Sequence, residues 1–461
     1  MRAASRGRRR QLLAGLTLAA GGFAAAQSAT AQARMLPDTL DIGRAVQIAL
    51  TESPTLRMTQ AQADQAGAAR LAAWGAFLPT AGGTMNLGRN TRNVGTYEAE
   101  EGPAERLAER LSYTSQSASQ SFGLNLTLLE GGRRFAELRG ASAGVRAAQR
   151  RLDDQQRQVI VSVRREFLDA LRRQELLELT RSQIADRELE LDIAQRRYEI
   201  AAVERTDVLA AESGVLNARI RLIAEQNQLE AGLQRLVVSM GLPPDASDGL
   251  VLTGDEGMPV GLPDVDLIVR TALSSDPELA ALEADRSAAS AALWAARTNY
   301  LPTITAFLNW GRSESFGPDA SFWQFRPGDT GQSFGVSVSW NIFNGFLREQ
   351  QHAQASSQRR QAEEDLRRRR LEIERDVRQF GADIQRLAES LELLERDYAI
   401  SRERLEMEQE RYRNGTGSFI GLQQAVQAVQ GAEISLIQSE YDYLIAWSNL
   451  AEYVEAGPGT P

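Results

Sequence analysis

The chain lacks residues on which much of protein chemistry depends. Its 461 residues include no cysteine, no lysine and a single histidine, His352. Without cysteine there are no disulfides, thiol nucleophiles or cysteine-ligated metals, and one histidine cannot build a multi-histidine metal site. Without lysine there is no Schiff base and no phosphate-loop lysine. The composition argues against an enzyme, and we expect neither a cofactor nor a bound metal.

Residues 1–33 have the pattern of an export signal. Arg2, Arg6 and Arg8-Arg9-Arg10 precede an apolar run of 12 residues, and Ala31-Gln32-Ala33 supplies the small residues for cleavage. The run is too short for an uncleaved membrane helix, which needs about 20 apolar residues. Cleavage removes five of the 52 basic residues and none of the 61 acidic ones, so the net charge falls from −9 to −14. An acidic protein is a poor partner for nucleic acid. Both the general secretory and the twin-arginine export routes stay open.

The rest of the chain repeats one plan. ALTESPTL at 49–56 recurs as ALSSDPEL at 272–279, and the same offset of 223 residues relates FLPT at 77–80 to YLPT at 300–303. Further on, SFG recurs at 121–123 and 333–335, and the pair Arg197-Tyr198 matches Arg411-Tyr412 at an offset of 214. We expect a first structural repeat at 34–241, a second at 264–461, and an irregular linker rich in glycine and proline at 242–263.

Each repeat contains two segments that alternate between apolar and small polar residues. We predict strands at about 79–90 and 120–130 in the first repeat, and at about 302–312 and 332–343 in the second. Such strands are typical of a barrel wall between lipid and a wet lumen, although a half-buried soluble sheet shows the same alternation. Trp310, Trp323 and Trp340 are candidate interfacial aromatics.

Four strands cannot close a barrel, and an open edge in lipid leaves backbone groups without hydrogen bonds. The chain must therefore oligomerise if the strands span a membrane. Two chains would reach the eight strands of the smallest known bacterial barrels and three would give twelve. Counting strands does not choose between them.

Long helices are predicted at about 133–200, 206–240, 346–413 and 419–455. In the second repeat two interleaved series of apolar residues recur every seven positions, which is typical of a coiled-coil seam. The first repeat keeps one series but has Glu166, Arg173 and Thr180 in the other, so we expect that side to face solvent or a lumen. A purely structural periplasmic coiled-coil scaffold or adaptor-like protein would explain the heptads, but neither the strands nor the duplication.

The order of these motifs resembles that of the TolC-like outer-membrane efflux proteins, also called outer membrane factors. The resemblance includes GG at 131–132, NG at 344–345 and the Tyr-x-x-Gly sequence from Tyr412 to Gly415. The resemblance implies a mainly α fold with a β-barrel part. It implies a homotrimer whose twelve strands form one barrel in the outer membrane of a Gram-negative bacterium, continued into the periplasm by an α-helical barrel.

The resemblance also implies a function and partners. The protein would be a passive exit channel for a tripartite efflux pump or a type I secretion system. It would contact outer-membrane lipid, a periplasmic adaptor (membrane fusion) protein and an inner-membrane transporter that supplies the energy. The sequence does not name the cargo.

The resemblance places the family's gate at the tips of the helical hairpins. Asp207 and Tyr412 match two gate positions of the family. In a closed relative, the residues at these two positions form a hydrogen bond. Each has a simpler explanation, because Asp207 suits the first turn of a helix and Tyr412 continues the heptad series. Gly415 is a tip and adaptor-docking candidate together with Tyr198 and Ser418, and it also suits a turn that needs a positive φ.

The chain departs from the family's gate at three positions. Gly417 replaces an arginine latch, and Gly421 and Gln424 replace two aspartates. We therefore expect an aperture of weaker charge, built from Gln423, Gln424 and Phe419.

Overall fold

The computed structural model describes residues 39–95, 110–201, 203–254, 257–259, 261–316 and 330–454. The expected export signal and Trp323 lie outside these residues. In chain order the elements are β1 (Thr39–Leu40), α1 (Ile42–Glu52), α2 (Pro54–Gly75), β2 (Thr80–Gly95), β3 (Arg110–Glu130), α3 (Arg133–Glu199), α4 (Arg205–Ser239), a 3-10 turn (Pro244–Ser247), β4 (Val251–Leu252), α5 (Val265–Ser275), α6 (Pro277–Thr298), β5 (Thr303–Phe316), β6 (Thr330–Ser339), α7 (Leu347–Arg413) and α8 (Phe419–Val454).

The four long strands form one antiparallel sheet in the order β2-β3-β5-β6. The two repeats join at the centre, where β3 of the first pairs with β5 of the second. Within the described residues, β2 and β6 each pair on one side only. The sheet therefore has two open edges.

One face of the sheet is apolar and exposed. The register sets Phe122 opposite Trp310, and Leu308 opposite Phe334, so the apolar positions of neighbouring strands share a face. The side chain of Phe334 is 84% exposed, and so large an exposed apolar surface is unusual for a protein in water. The other face carries small polar residues, including Thr84 and Ser121, whose hydroxyl oxygens lie 2.6 Å apart.

Strand β6 ends at Ser339, before the predicted end at about residue 343. The carbonyls of Asn341 and Ile342 accept hydrogen bonds from the Arg348 guanidinium, at 3.0 and 2.7 Å. Trp340 donates its indole N–H to the Tyr300 carbonyl at 3.3 Å. The two carbonyls thus bond to the first turn of α7 instead of continuing the strand ladder.

The helices α3 and α7 each contain 67 residues and are therefore about 100 Å long. No helix in the described ranges has a stretch long and apolar enough to cross a membrane. Helix α3 packs against α4, α6 and α8, and α7 packs against α6 and α8. The predicted seam of α7 lies in the core, where Ile373, Val377 and Ile384 are fully buried.

The polar side of the first-repeat seam, predicted to face solvent or a lumen, is mostly withdrawn from solvent within the chain; its position relative to a lumen stays a prediction. Thr180 is buried and donates its hydroxyl to the Leu176 carbonyl. Glu166 is half-buried and lies 3.5 Å from Arg235 of α4. Arg173 pairs with Asp169 at 3.3 Å. Glu166 therefore forms an ion pair across the interface between α3 and α4, and Arg173 forms one along α3.

The linker contains two short regular elements that its composition did not predict. Strand β4 pairs in parallel with β1. The Gln174 side chain of α3 bonds both the N–H and the carbonyl of Leu252, at 3.1 Å each. Leu40, Leu252, Met240 and Phe167 then join one buried apolar cluster that holds the linker against the first repeat.

A buried carboxylate connects four elements. Asp276 caps α6 by accepting the Leu279 N–H at 2.7 Å. The same side chain, 2% exposed, pairs with Arg157 of α3 at 3.1 Å and with Arg369 of α7 at 3.3 Å. Arg157 also donates to the Glu452 carbonyl of α8 at 3.2 Å.

Replacing Asp276 with alanine should destabilise the protein by about 3–5 kcal/mol, because two partly buried arginines would lose their shared carboxylate. The measurement is the free energy of unfolding of the purified protein in denaturant. Asp442→Ala is the control: Asp442 pairs with Arg172, but its side chain is 54% exposed, so its loss should cost less than about 1 kcal/mol. Equal losses for the two variants would contradict the role assigned to Asp276.

Candidate functional site

The candidate site consists of the tips of two helical hairpins, α3–α4 and α7–α8. At the second tip, Gly415 has a φ of 75°, and its N–H donates to the Tyr412 carbonyl at 3.1 Å. Ser418 caps α8, since its hydroxyl accepts the Gly421 N–H at 3.1 Å. Gly415 and Ser418, predicted as docking candidates, thus have local roles in turning the chain; docking by either stays a prediction.

An apolar cluster fills the space behind the tips. Tyr412, Phe419, Leu422 and Val426 are buried there with Ala194 and Ala211. The rings of Tyr412 and Phe419 have centroids 5.9 Å apart. Phe419 is 5% exposed, so its ring packs inside the chain, and its place at an aperture stays a prediction.

Arg197 joins the two hairpins. Its guanidinium lies 4.3 Å from the centroid of the Tyr412 ring and donates to the Tyr412 carbonyl. The same side chain approaches Gly415, where an added Cβ would lie 3.8 Å from it. Its counterpart in the second repeat, Arg411, instead pairs with Glu408 on its own helix at 2.8 Å. We call the contacts of Arg197 with Tyr412 the tip clasp.

The two matching tyrosines also differ. Tyr412 is 4% exposed, whereas Tyr198 is 46% exposed. The Tyr412 ring belongs to the apolar cluster at the second tip, whereas the Tyr198 ring lies at the surface of the first tip. Docking of a partner on Tyr198 stays a prediction.

Asp207 lies half-buried in the first turn of α4. The Tyr412 hydroxyl is buried and bonds to no group in the described residues, so the bond to Asp207 that the resemblance implies is not made. Burial raises the pKa of the Tyr412 phenol; the charges of Asp207 and Glu190 add to the rise, and the Arg197 charge opposes it. Asp207 is thus close enough to act on Tyr412 through its charge.

The substituted family positions have clear local environments. A Cβ at Gly417 would lie 3.0 Å from the Tyr412 N atom and 3.1 Å from Arg411, so an arginine latch could not be added there without moving the backbone. A Cβ at Gly421 would meet the Glu408 carboxylate at 3.3 Å. Of the predicted aperture residues, Gln424 is exposed and Gln423 is half-buried.

A cavity of about 350 Å³ lies between the two hairpins and next to the apolar cluster, and its lining includes Glu190 and Gln430. Arg187 contacts both of these residues, pairing with Glu190 at 3.1 Å and donating to Gln430 of α8 at 3.0 Å. Burial raises the pKa values of Glu190 and Glu433. The hairpins thus meet through an apolar contact at the tip and through polar contacts above it.

Sequence reasoning missed Arg197 as a tip residue. The sequence did contain a signal for Arg197, because this residue is one half of the duplicated Arg-Tyr pair. The sequence could not tell which of the two arginines would reach across to the other hairpin, since both are followed by tyrosine.

Comparisons with known proteins agree with this architecture. The family described as "Outer membrane efflux protein" matches residues 45–242 and 268–454, one segment for each repeat. The alkaline protease secretion protein AprF of Pseudomonas aeruginosa is 25% identical over 321 residues, which cover 69% of this chain and 66% of that protein.

Two solved structures share the fold. A membrane protein from Pseudomonas aeruginosa has a TM-score of 0.72 and 20% identity, covering 90% of this chain and 93% of that one. The CmeC outer membrane channel of Campylobacter jejuni has a TM-score of 0.73 and 16% identity, covering 90% and 86%. Since the family match covers most of the chain and follows its duplication, the chain belongs to the outer membrane efflux protein family.

Proposed function

We propose that the protein is a passive exit channel of the outer membrane, built as a homotrimer that extends into the periplasm. The observation that carries the proposal is the four-stranded sheet with an exposed apolar face and two open edges. In lipid such a face is favourable, but the open edges are not, because their N–H and C=O groups find no water there. If the open edges of neighbouring copies pair, the apolar face can stay in lipid and the edge N–H and C=O groups gain hydrogen-bond partners.

Three copies would supply twelve strands and twelve long helical segments. The helices begin directly after the strands: α3 starts three residues after β3 ends. Two arginines with matching roles hold this junction. Arg134 donates to the Ala76 and Leu128 carbonyls at 3.1 Å each, and Arg348 bonds the corresponding region of the second repeat. A rigid junction would keep the barrel and the helical tube on one axis.

The energy for transport would come from a partner. We infer a periplasmic adaptor and an inner-membrane transporter, as in tripartite efflux or type I secretion. The similarity to AprF, a secretion protein by name, supports a protein as one class of cargo, and the efflux family supports small molecules as the other.

A periplasmic scaffold is the main rival. It accounts for the paired long helices, but it leaves the exposed Phe334, Val336 and Val338 in water. A scaffold would be released from cells without detergent and would not conduct ions.

Purified protein reconstituted into planar bilayers should form ion-conducting channels, and the protein should fractionate with outer membranes. Single-channel recording measures the first expectation and cell fractionation the second. A protein that is soluble without detergent and gives no conductance would contradict the proposed channel.

We also propose that the tip clasp holds the periplasmic end closed, with Asp207 and Gln424 nearest the aperture. A partly desolvated cation–π contact contributes about 1–2 kcal/mol. Each copy would add this amount to the closed state.

Arg197→Ala should therefore raise the open probability of reconstituted channels by roughly 5-fold or more, since 1 kcal/mol corresponds to about that factor. Arg411→Ala is the matched control, because this arginine makes its ion pair on its own helix. Tyr412→Phe keeps the ring, and its hydroxyl has no partner among the described residues, so conductance should stay unchanged. Similar effects of Arg197→Ala and Arg411→Ala would show that the clasp does not gate the channel.

A further inference from the structure

The cavity between the two hairpins has no part in the proposed channel or in the tip clasp. Residues of α3, α7 and α8 line it. The α3 residues among them extend from Ser182 to Ile193, which is about 16 Å along the helix. Its volume of about 350 Å³ falls in the range of pockets that hold small organic molecules. The cavity is therefore large enough for a ligand with two chemically different ends.

The end of the cavity farther from the tips is acidic. Asp186 of α3 and Glu433 of α8 line it, and Glu190 follows one helical turn closer to the tips. Burial raises the pKa values of Glu190 and Glu433, and the negative charge of Asp186 raises both further. Asp186 is thus close enough to repel the other two carboxylates, and a cation placed beside it would relieve this repulsion.

The neighbouring arginines do not neutralise Asp186. Arg187 is already paired with Glu190. Arg402 and Arg413 also line the cavity, but both are exposed, so water screens their charges. Among the described residues, none forms an ion pair with the Asp186 carboxylate. The acidic end therefore favours a cation over an anion.

Two buried polar groups in the cavity lining lack hydrogen-bond partners. Gln183, at the acidic end, is 7% exposed, and its amide nitrogen Nε2 bonds to no group in the described ranges. The same is true of the Tyr412 hydroxyl, at the end nearer the tips. A buried polar group without a partner costs free energy, so each group would gain from a polar ligand. A 180° rotation of the Gln183 amide presents its oxygen, which can accept a hydrogen bond from a cation.

The end of the cavity nearer the tips is largely apolar. Leu422 and Val426 of α8 are buried there, and Leu405 of α7 packs against them. A hydrocarbon or aromatic group in contact with these side chains would be removed from water, which favours binding. The cavity thus combines an acidic half and an apolar half along one axis.

We propose that this cavity binds a small organic cation, whose ammonium group lies between Asp186 and Glu433 and whose apolar body packs on Val426 towards the tips. The ammonium N–H groups would donate to both carboxylates and to the Gln183 amide oxygen. A ligand in this position would contact both hairpins at once. The inference goes beyond the proposed channel, because binding can be measured whether or not the protein conducts ions.

Three probes with the same phenylethyl body test the proposal. Phenethylamine is a cation at neutral pH, 2-phenylethanol is neutral and 3-phenylpropionate is an anion. Each is titrated by calorimetry into the purified full-length protein in a non-ionic detergent, with micelles alone as the blank. We expect saturable binding of phenethylamine at one site per chain. The neutral probe should bind about tenfold more weakly or worse, because it lacks the charge-assisted hydrogen bonds, and the anion should not bind.

Substitutions in the cavity locate the binding. Asp186→Asn and Glu433→Gln should each weaken phenethylamine binding by about tenfold or more, the loss expected for one charge-assisted hydrogen bond. Gln183→Leu removes an unpartnered buried amide, so it should weaken binding while the protein stays folded. Asp192→Asn is the matched control on the same helix, because Asp192 pairs with Arg196 at 2.9 Å and does not line the cavity. Thermal unfolding monitored by circular dichroism checks that each variant is folded.

Several results would overturn the proposal. Equal binding of the cation and the neutral probe would show that the carboxylates do not select charge, and preferential binding of the anion would assign the cavity to a different class of ligand. Weakening by Asp192→Asn equal to that by Asp186→Asn would reduce the effect to general surface charge. Folded protein that binds none of the probes saturably would show that the cavity is not a site for such ligands.

Discussion

The backbone hydrogen bonds at the edges of the sheet are the constraint on which the rest of the proposed assembly depends. Four strands satisfy their N–H and C=O groups where β2, β3, β5 and β6 meet one another, and they leave two edges open. Water can satisfy such edges and lipid cannot. The apolar face of the sheet favours lipid, so the edges require further strands. In the proposed assembly a second copy would supply them with its own open edge.

The duplication gives the chain two similar halves that meet each other where β3 pairs with β5. At the tips, however, the repeats have diverged. Arg197 reaches the other hairpin and Arg411 stays on its own helix; Tyr412 is buried and Tyr198 is exposed. Because the repeats differ here, each copy has one tip clasp instead of two. A single clasp is consistent with the proposed opening of the periplasmic end while the wall of the tube stays closed.

The long helices are held together well away from the tips. The Asp276 carboxylate binds Arg157 of α3 and Arg369 of α7, within the half of each helix nearer the sheet, and each repeat has an apolar cluster of its own. Nearer the tips the contacts between the hairpins are polar, around Arg187, Glu190 and Gln430, and at the tips themselves the hairpins meet through the apolar cluster and the tip clasp.

The order of residues alone predicted the repeats, the four strands and the long helices, because periodicity and duplication can be read without any partner. It predicted more than one copy on the condition that the strands span a membrane. It also located the tips through Gly415 and the duplicated Arg-Tyr pair. Only the tertiary structure decided that the polar positions Glu166, Arg173 and Thr180 are mostly withdrawn from solvent, that β6 ends at Ser339, and that Phe419 turns inward. Several of these outcomes depend on partners distant in the chain, namely Arg235 for Glu166, Tyr300 for Trp340 just after β6, and the apolar cluster behind the tips for Phe419. Local pattern cannot reveal such partners, since the pairing arises only when separate helices and strands are brought together.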